Sequence, residues 1–403
     1  MKKILALVMA LAMVLSVCSF ASADYSGEIK IWVAEATVSF TQQAAEDFKA
    51  AHPEYAGMTV TVEPVGEGDA ANNMITDVTS CADIYIFAQD QLTRLVAAGA
   101  IEEMNPDFVE EVSAANDAGS VGAGKVGDTM YAYPVTSDNG YFMYYDTSVI
   151  TDTSSLEAVV AQAEAAGKRV YMEINSGWYQ TAFFFGTGCT LTYDTDDAGN
   201  YVACNCDYAS ANGVKALKAM IALHKSGAFA NGSSASSASD YAALVSGTWD
   251  ATQVQSVLGD NYAAVKLPTI TVDGETFQLS GFGGFKLLGI KPQEDEDKLA
   301  ACDELALYLT SGDVQAARFD AVQWGPSNLV AQQSDGVKSN VALSALADQL
   351  AYAIPQGQYP GDYWTLATAL GDDVIAGKYD DFTDDQLMEV LVQFQATCES
   401  YAK

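Results

Sequence analysis

Apolar residues recur along this chain at two spacings, and the two alternate. Ile29–Val33 is an apolar run of strand length. Phe40, Ala44, Ala45 and Phe48 follow at helical spacing, and His52-Pro53 stops them, since proline cannot continue a helix. Thr59–Val62 is a β-branched strand, and Met74 and Val78 mark a second helix. Asp83–Ala88 is the next strand; Leu92, Leu95 and Val96 lie on the helix behind it, and Gly99 closes that helix. Strands alternating with helices predict a mainly parallel sheet covered on both faces.

The middle of the chain repeats this style. Tyr141–Tyr145 and Arg169–Ile174 read as strands, separated by a helix that the capping box Ser154-x-x-Glu157 opens and Gly167 ends. Gly188–Asp194 and Tyr201–Cys206 flank Asp196-Asp197-Ala198-Gly199, a hairpin with an acidic turn. A calcium-loop reading of that turn fails on its ligands, because Ala198 and Asn205 stand where an oxygen ligand and a bidentate Glu are wanted. Ser210 caps a helix carrying Val214, Leu217 and Ile221, closed by Gly227, and Ser233–Ser239 reads as a surface loop. Tyr262–Pro268 and Phe285–Ile290 are strands joined by a segment with Gly274, Gly281, Gly283 and Gly284. An acidic run, Glu294–Asp297, leads into a helix. The last helix takes Asp384 as its cap and shows Leu387, Val390, Leu391, Phe394 and Cys398 on one face.

The N-terminus has a different pattern. Lys2 and Lys3 precede an apolar stretch from Ile4 to about Phe20, ending in Ala21-Ser22-Ala23. That is an export leader, shorter than the ~20 apolar residues of a comfortable membrane span. The reading makes 1–23 a signal peptide and starts the mature chain near Asp24. Cys18 could be a lipid-attachment site, which would tether the exported protein, but Val17 stands where a small residue is wanted, so an ordinary leader residue is the preferred reading.

Composition narrows the function classes. A length of 403 residues suggests two domains. The formal charge of −34 repels nucleic acid and anionic lipid. Cys189, Cys204 and Cys206 flank the predicted hairpin, so a cross-strand disulfide and free thiols both stay open. The two histidines, His52 and His224, fall near helix ends, expected in solvent, and supply no metal cluster. The chain has no nucleophile elbow, phosphate loop or dinucleotide fingerprint, and no cofactor is expected. A glycosidase needs only two carboxylates and so survives counting, without a positive signal.

Six local strings, in one order, then carry a resemblance. They are Gly27-Glu28-Ile29-Lys30-Ile31-Trp32, Ala82-Asp83-Ile84-Tyr85-Ile86-Phe87-Ala88-Gln89-Asp90, Met130-Tyr131-Ala132-Tyr133-Pro134-Val135, Tyr144-Tyr145-Asp146, Ser246-Gly247-Thr248-Trp249, and Ala353-Ile354-Pro355-Gln356 followed by Trp364. Together they resemble extracellular solute-binding proteins of the maltose/maltodextrin type, the capture subunits of ABC sugar importers. The resemblance implies an α/β, two-lobed periplasmic-binding-protein fold with a ligand cleft between lobes joined by several crossovers. It places lobe 1 at 24–137 plus 283–324 and lobe 2 at 138–282 plus 325–403. It implies an exported, periplasmic or extracellular, non-enzymatic monomer that takes an oligosaccharide and meets the membrane permease subunits of an ABC importer. A polyamine or other cationic solute in the same fold is the alternative ligand.

Sugars present apolar C–H faces and hydroxyl edges, which call for flat rings and for polar acceptors. The matched positions supply Phe87 in place of the family's Trp, Asp90, Glu35 and Asp138 on the first lobe and crossover. On the second lobe they point to Trp178, Trp249 and Trp364, with Tyr363 beside the last. Ala36 and Gln91 replace basic partners of the family, so maltose itself does not follow. Trp32 is assigned to the core and Trp324 to packing at a crossover.

Overall fold

The computed structural model describes residues 25–196, 199–237 and 240–403. The leader, Cys18, and parts of the acidic turn and of the serine-rich loop lie outside them.

Two sheets organise the molecule. The first combines β1 (Glu28–Val33), β2 (Thr59–Pro64), β3 (Ile84–Ala88), β4 (Tyr133–Gly140), β10 (Phe282–Ile290) and β11 (Ile354–Pro355). The second runs in the order β7 (Phe229–Ala230), β6 (Arg169–Tyr171), β8 (Tyr241–Ser246), β5 (Phe142–Asp146), β9 (Tyr262–Val265). β1 is parallel to both β2 and β3, whereas β10 runs antiparallel to β3 and β4 and parallel to β11. The chain changes sheet at Gly140, between β4 and β5. It returns before Phe282, and leaves again through Trp324–Asn328 toward the helix Val341–Leu350, which packs under the second sheet. This is the α/β, two-lobed arrangement with several crossovers.

Each sheet has its own core. Along β3, Ile84 and Ile86 join one apolar cluster while Tyr85 and Phe87 join another on the opposite face. Alternating side chains point to opposite faces, so a strand covered on both sides must be apolar at every position. Function is thereby pushed to the strand ends and the loops beyond them. Trp32 is buried in the second of these clusters, as its place inside a strand predicts.

Most expected elements form with shifted ends. The helix Val38–Ala51 stops at His52, and Gly99 and Gly167 adopt φ +61° and +67° behind their helices. The cap of the helix Leu156–Ala165 is Ser155, not Ser154; its hydroxyl accepts from Ala158 N, and Glu157 is drawn away to accept from Thr271 N at 2.7 Å. The last helix is capped by Thr383 in a reciprocal box with Gln386, one residue before the expected Asp384. The glycine-rich segment holds an unanticipated hairpin, Thr269–Val272 with Glu275–Gln278. His52 is half-buried, stacked on Phe48 with centroids 4.5 Å apart, and His224 is half-buried too.

The six described cysteines are free thiols. A structural disulfide is worth about 2–4 kcal/mol. Reductant should therefore leave the thermal midpoint of the purified protein unchanged. A fall of several degrees would show a bridge between them.

Candidate ligand cleft

Loops follow the carboxyl ends of the parallel strands β1, β2 and β3. After β1, Glu35 opens a short 3-10 turn and is exposed. After β3, Gln89, Asp90 and Gln91 form another such turn, and all three are buried. Gln91 stands where the resemblance expected a cation, and it pins loops together instead. Its Oε1 accepts from Ala71 N, and its Nε2 donates to the carbonyls of Glu67 and Gly68. Gln89 Nε2 donates to Gln356 O, and Gln358 donates back to Gln89 O at 2.8 Å, which ties this loop to the segment after β11. Gly284 lets them meet, since a Cβ there would lie 3.1 Å from Gln89 Oε1 and 3.2 Å from Gln356 Oε1.

Aromatic rings gather beside Gln356. Trp178 stands in the first turn of the helix Gly177–Gly186, under the Ser176 cap. Its indole donates to Gln356 Oε1 at 3.1 Å, and its ring lies 5.8 Å from that of Trp249. Trp249 follows β8 in a 3-10 turn and folds over Gly247, where any Cβ would fall 2.1 Å from the indole. Trp364 sits in the first turn of the helix Gly361–Ile375, packed on Tyr359 and Tyr363. A Cβ on Gly177 would lie 3.2 Å from Trp364, so the three tryptophans gather at adjoining helix and turn starts. All three stay partly exposed.

Two sequence-derived candidates fall elsewhere. Phe87 is fully buried beside Tyr85, inside the core of the first sheet, because strand alternation turns it away from the loop end. It offers no face to a ligand. Tyr363 is likewise buried, between Tyr359 and Trp364, and supports the tryptophan from beneath. Asp138 is buried as a joint between segments. Its Oδ2 accepts from Thr248 Oγ1 and Gly325 N, each at 2.5 Å, so it links β4 to the turn after β8 and to the crossover near Trp324. Arg318, buried on the same side, has its pKa pulled down to about 10 by loss of water, with Asp138 opposing that fall.

The sequence reading missed the polar groups nearest the rings. Lys286, in the middle of β10, is 3% exposed. Its ammonium lies 3.4 Å from Glu67 Oε1, 3.6 Å over the Trp324 ring and 5.2 Å over the Trp249 ring. Trp324 does pack at a crossover, as expected, and forms the floor beneath this cation. The findable signal was a lysine inside the apolar run Phe285-Lys286-Leu287-Leu288-Gly289-Ile290.

Chain comparison adds the family. A model described as bacterial extracellular solute-binding protein matches residues 43–345. The chain belongs to that family. Comparison with curated proteins gives no match. Among solved structures, one with acarbose is 26% identical, with a TM-score of 0.81 over 93% of this chain and 98% of that one. The maltodextrin-binding protein MalE1 from L. casei BL23, without ligand, is 22% identical, with a TM-score of 0.76 over 93% and 99%. The Thermus thermophilus maltotriose-binding protein bound with maltotriose is 16% identical, with a TM-score of 0.76 over 92% and 99%. The solute-binding fold thus extends over nearly the whole chain.

Asp90 gives this solute-binding protein a measurable pH signature. Burial pushes its carboxyl up to about 7; Arg94 opposes that rise, and Tyr201 and Tyr359 also face it. A raised acid holds its proton in the folded state where the unfolded chain has released it. Its contribution to stability therefore falls as pH rises from about 4 to 7. Asp90→Asn escapes this loss. Measured by unfolding, the variant should gain on the native protein between pH 4 and pH 8, by up to on the order of 4 kcal/mol. An equal difference at both pH values would refute the burial argument.

Proposed function

We propose that this family member captures a neutral oligosaccharide in the cleft and delivers it to an ABC importer. The observation that carries the reading is the pairing of the Trp178–Trp249 wall with the amides of Gln89 and Gln356. Flat rings suit the C–H faces of pyranoses, and amides suit their hydroxyls. The neighbours named for maltodextrin, maltotriose and acarbose support the same solute class. Delivery to permease subunits, and export behind the 1–23 leader, follow from the family. Among the described residues no helix is long and apolar enough to cross a membrane.

In this proposal Trp178, Trp249 and Trp364 stack on the ligand. Asp90 and Glu35 lie on the opposing loops, and Asp138 acts chiefly as the joint between lobes. The lobes divide at 137/138, 282/283 and 324/325, a reading supported at its first two boundaries by the passage of the chain between the sheets after Gly140 and before Phe282. Asp138 is spent on Thr248 and Gly325 and Glu67 faces Lys286, which supports binding rather than a reaction. Lys286 weighs against a polyamine, because a cationic solute would meet a buried ammonium against the same ring.

Titration calorimetry against maltotriose, cellotriose, xylotriose and spermidine tests the class. A sugar is expected to bind and spermidine is not; the reverse would overturn the proposal. Trp249→Ala and Trp364→Ala should each weaken that binding by roughly tenfold or more, since aromatic contacts are worth about 1 kcal/mol beyond the area they bury. Unchanged affinity in both variants would remove the rings from the site.

A further inference from the structure

A buried lysine with unspent donors calls for a reason. The Lys286 ammonium carries three N–H groups. Glu67 Oε1, on a side chain 16% exposed, lies at 3.4 Å. That is long beside the about 2.7–2.9 Å of a charge-assisted hydrogen bond, and this oxygen makes no aligned hydrogen bond. The other close neighbours are the Trp324 and Trp249 rings, whose faces attract a cation but offer no lone pair.

Other unspent groups lie around it. Gln89 Oε1, Thr136 Oγ1 and Trp324 Nε1 are buried without hydrogen-bond partners. The sheet register brings them together: Lys286 stands opposite Ala88, the residue before Gln89, on one side, and opposite Thr136 on the other. Buried polar groups are nearly always satisfied. A local surplus of donors and acceptors beside two partly open indoles, Trp178 and Trp249, suits a ligand that brings many hydroxyls.

We propose that Lys286 and Glu67 together read two adjacent hydroxyls of the ligand and so select a neutral sugar with a free vicinal diol. One hydroxyl accepts from the ammonium, and its neighbour donates to the carboxylate. Adjacent ring hydroxyls sit about one hydrogen-bond length apart, close to the 3.4 Å separating the two side-chain atoms. The charges of the pair cancel, so it offers neither a sugar acid nor a polyamine a net electrostatic gain, while both of its members can hydrogen-bond neutral hydroxyls. The pair also supplies a cation where Ala36 and Gln91 leave none, and it does so from a different strand. This proposal rests on the oligosaccharide reading above.

The test uses the tightest binder among maltotriose, cellotriose and xylotriose, together with its monodeoxy analogues, titrated into the native protein, Lys286→Met and Glu67→Gln. Native protein should bind at least one deoxy analogue tenfold or more weaker than the parent sugar. Each variant should bind the parent at least tenfold weaker, and should discriminate against that analogue by less than threefold. A merely structural pair would lower affinity without erasing the discrimination. If Lys286→Met fails to fold, the double variant Lys286→Met/Glu67→Gln, which leaves no lone charge behind, is read the same way. Variants that bind within threefold of native, or that keep full discrimination, overturn this proposal alone. Native protein that binds none of the three sugars overturns the oligosaccharide reading and this proposal with it.

Discussion

The structure depends on one strand satisfying three partners. β10 bonds to β3 along Lys286–Ile290, to β4 along Gly283–Leu288, and to β11 at its first two residues. These partners come from the first lobe, from the crossover into the second lobe, and from the return after it. Register is held where strand faces are packed, because a one-residue slip would send every side chain to the opposite face and undo its packing. Fixing β10 therefore fixes where Gln89, Asp138 and Gln356 stand relative to one another. Gly284 is a close-approach point, since a Cβ there would press on both glutamine side chains and on the Asn139 carbonyl.

The same constraint separates packing from recognition. Residues inside the strands are spent on the cores, and Phe87 shows how a motif position can look functional while alternation holds it inside. The proposed recognition groups lie instead at strand ends and first helical turns, where Trp178, Trp249 and Trp364 keep part of their rings exposed. Lys286, like Asp138, is a charge within a buried strand, and its neighbours are the two rings and the acid that make this tolerable. The −34 formal charge keeps the exterior strongly acidic, while inside the molecule Lys286 is paired with Glu67 and burial raises the pKa of Asp90. Local balance inside and excess charge outside are separate matters, and net charge alone said little about the ligand.

Much of the fold was legible in the sequence, because spacing reports burial directly. The helix Val38–Ala51, the strand Ile84–Ala88 and the C-terminal helix stripe all follow from period and stop signals. Caps were less legible: Ser155 and Thr383 each displace an adjacent candidate, and tertiary demand on Glu157 decides one of them. The tryptophans could be picked out because large aromatics beside glycines are poor core candidates. Glu67, Gln89 and Gln356 could not, since each is an ordinary polar loop residue until the fold brings it to a tryptophan, a lysine or the other amide. The hairpin Thr269–Val272 with Glu275–Gln278 was hidden among glycines that read equally well as an open connection.

A crystal structure of the protein with the solute it retains through native purification would show what the tryptophans hold. The expected solute is a neutral oligosaccharide with a ring on Trp249 or Trp178 and hydroxyls within hydrogen-bond distance of the Gln356 amide and the Lys286 ammonium. A charged amine or a sugar acid held elsewhere, with the Trp249 face unoccupied, would contradict it.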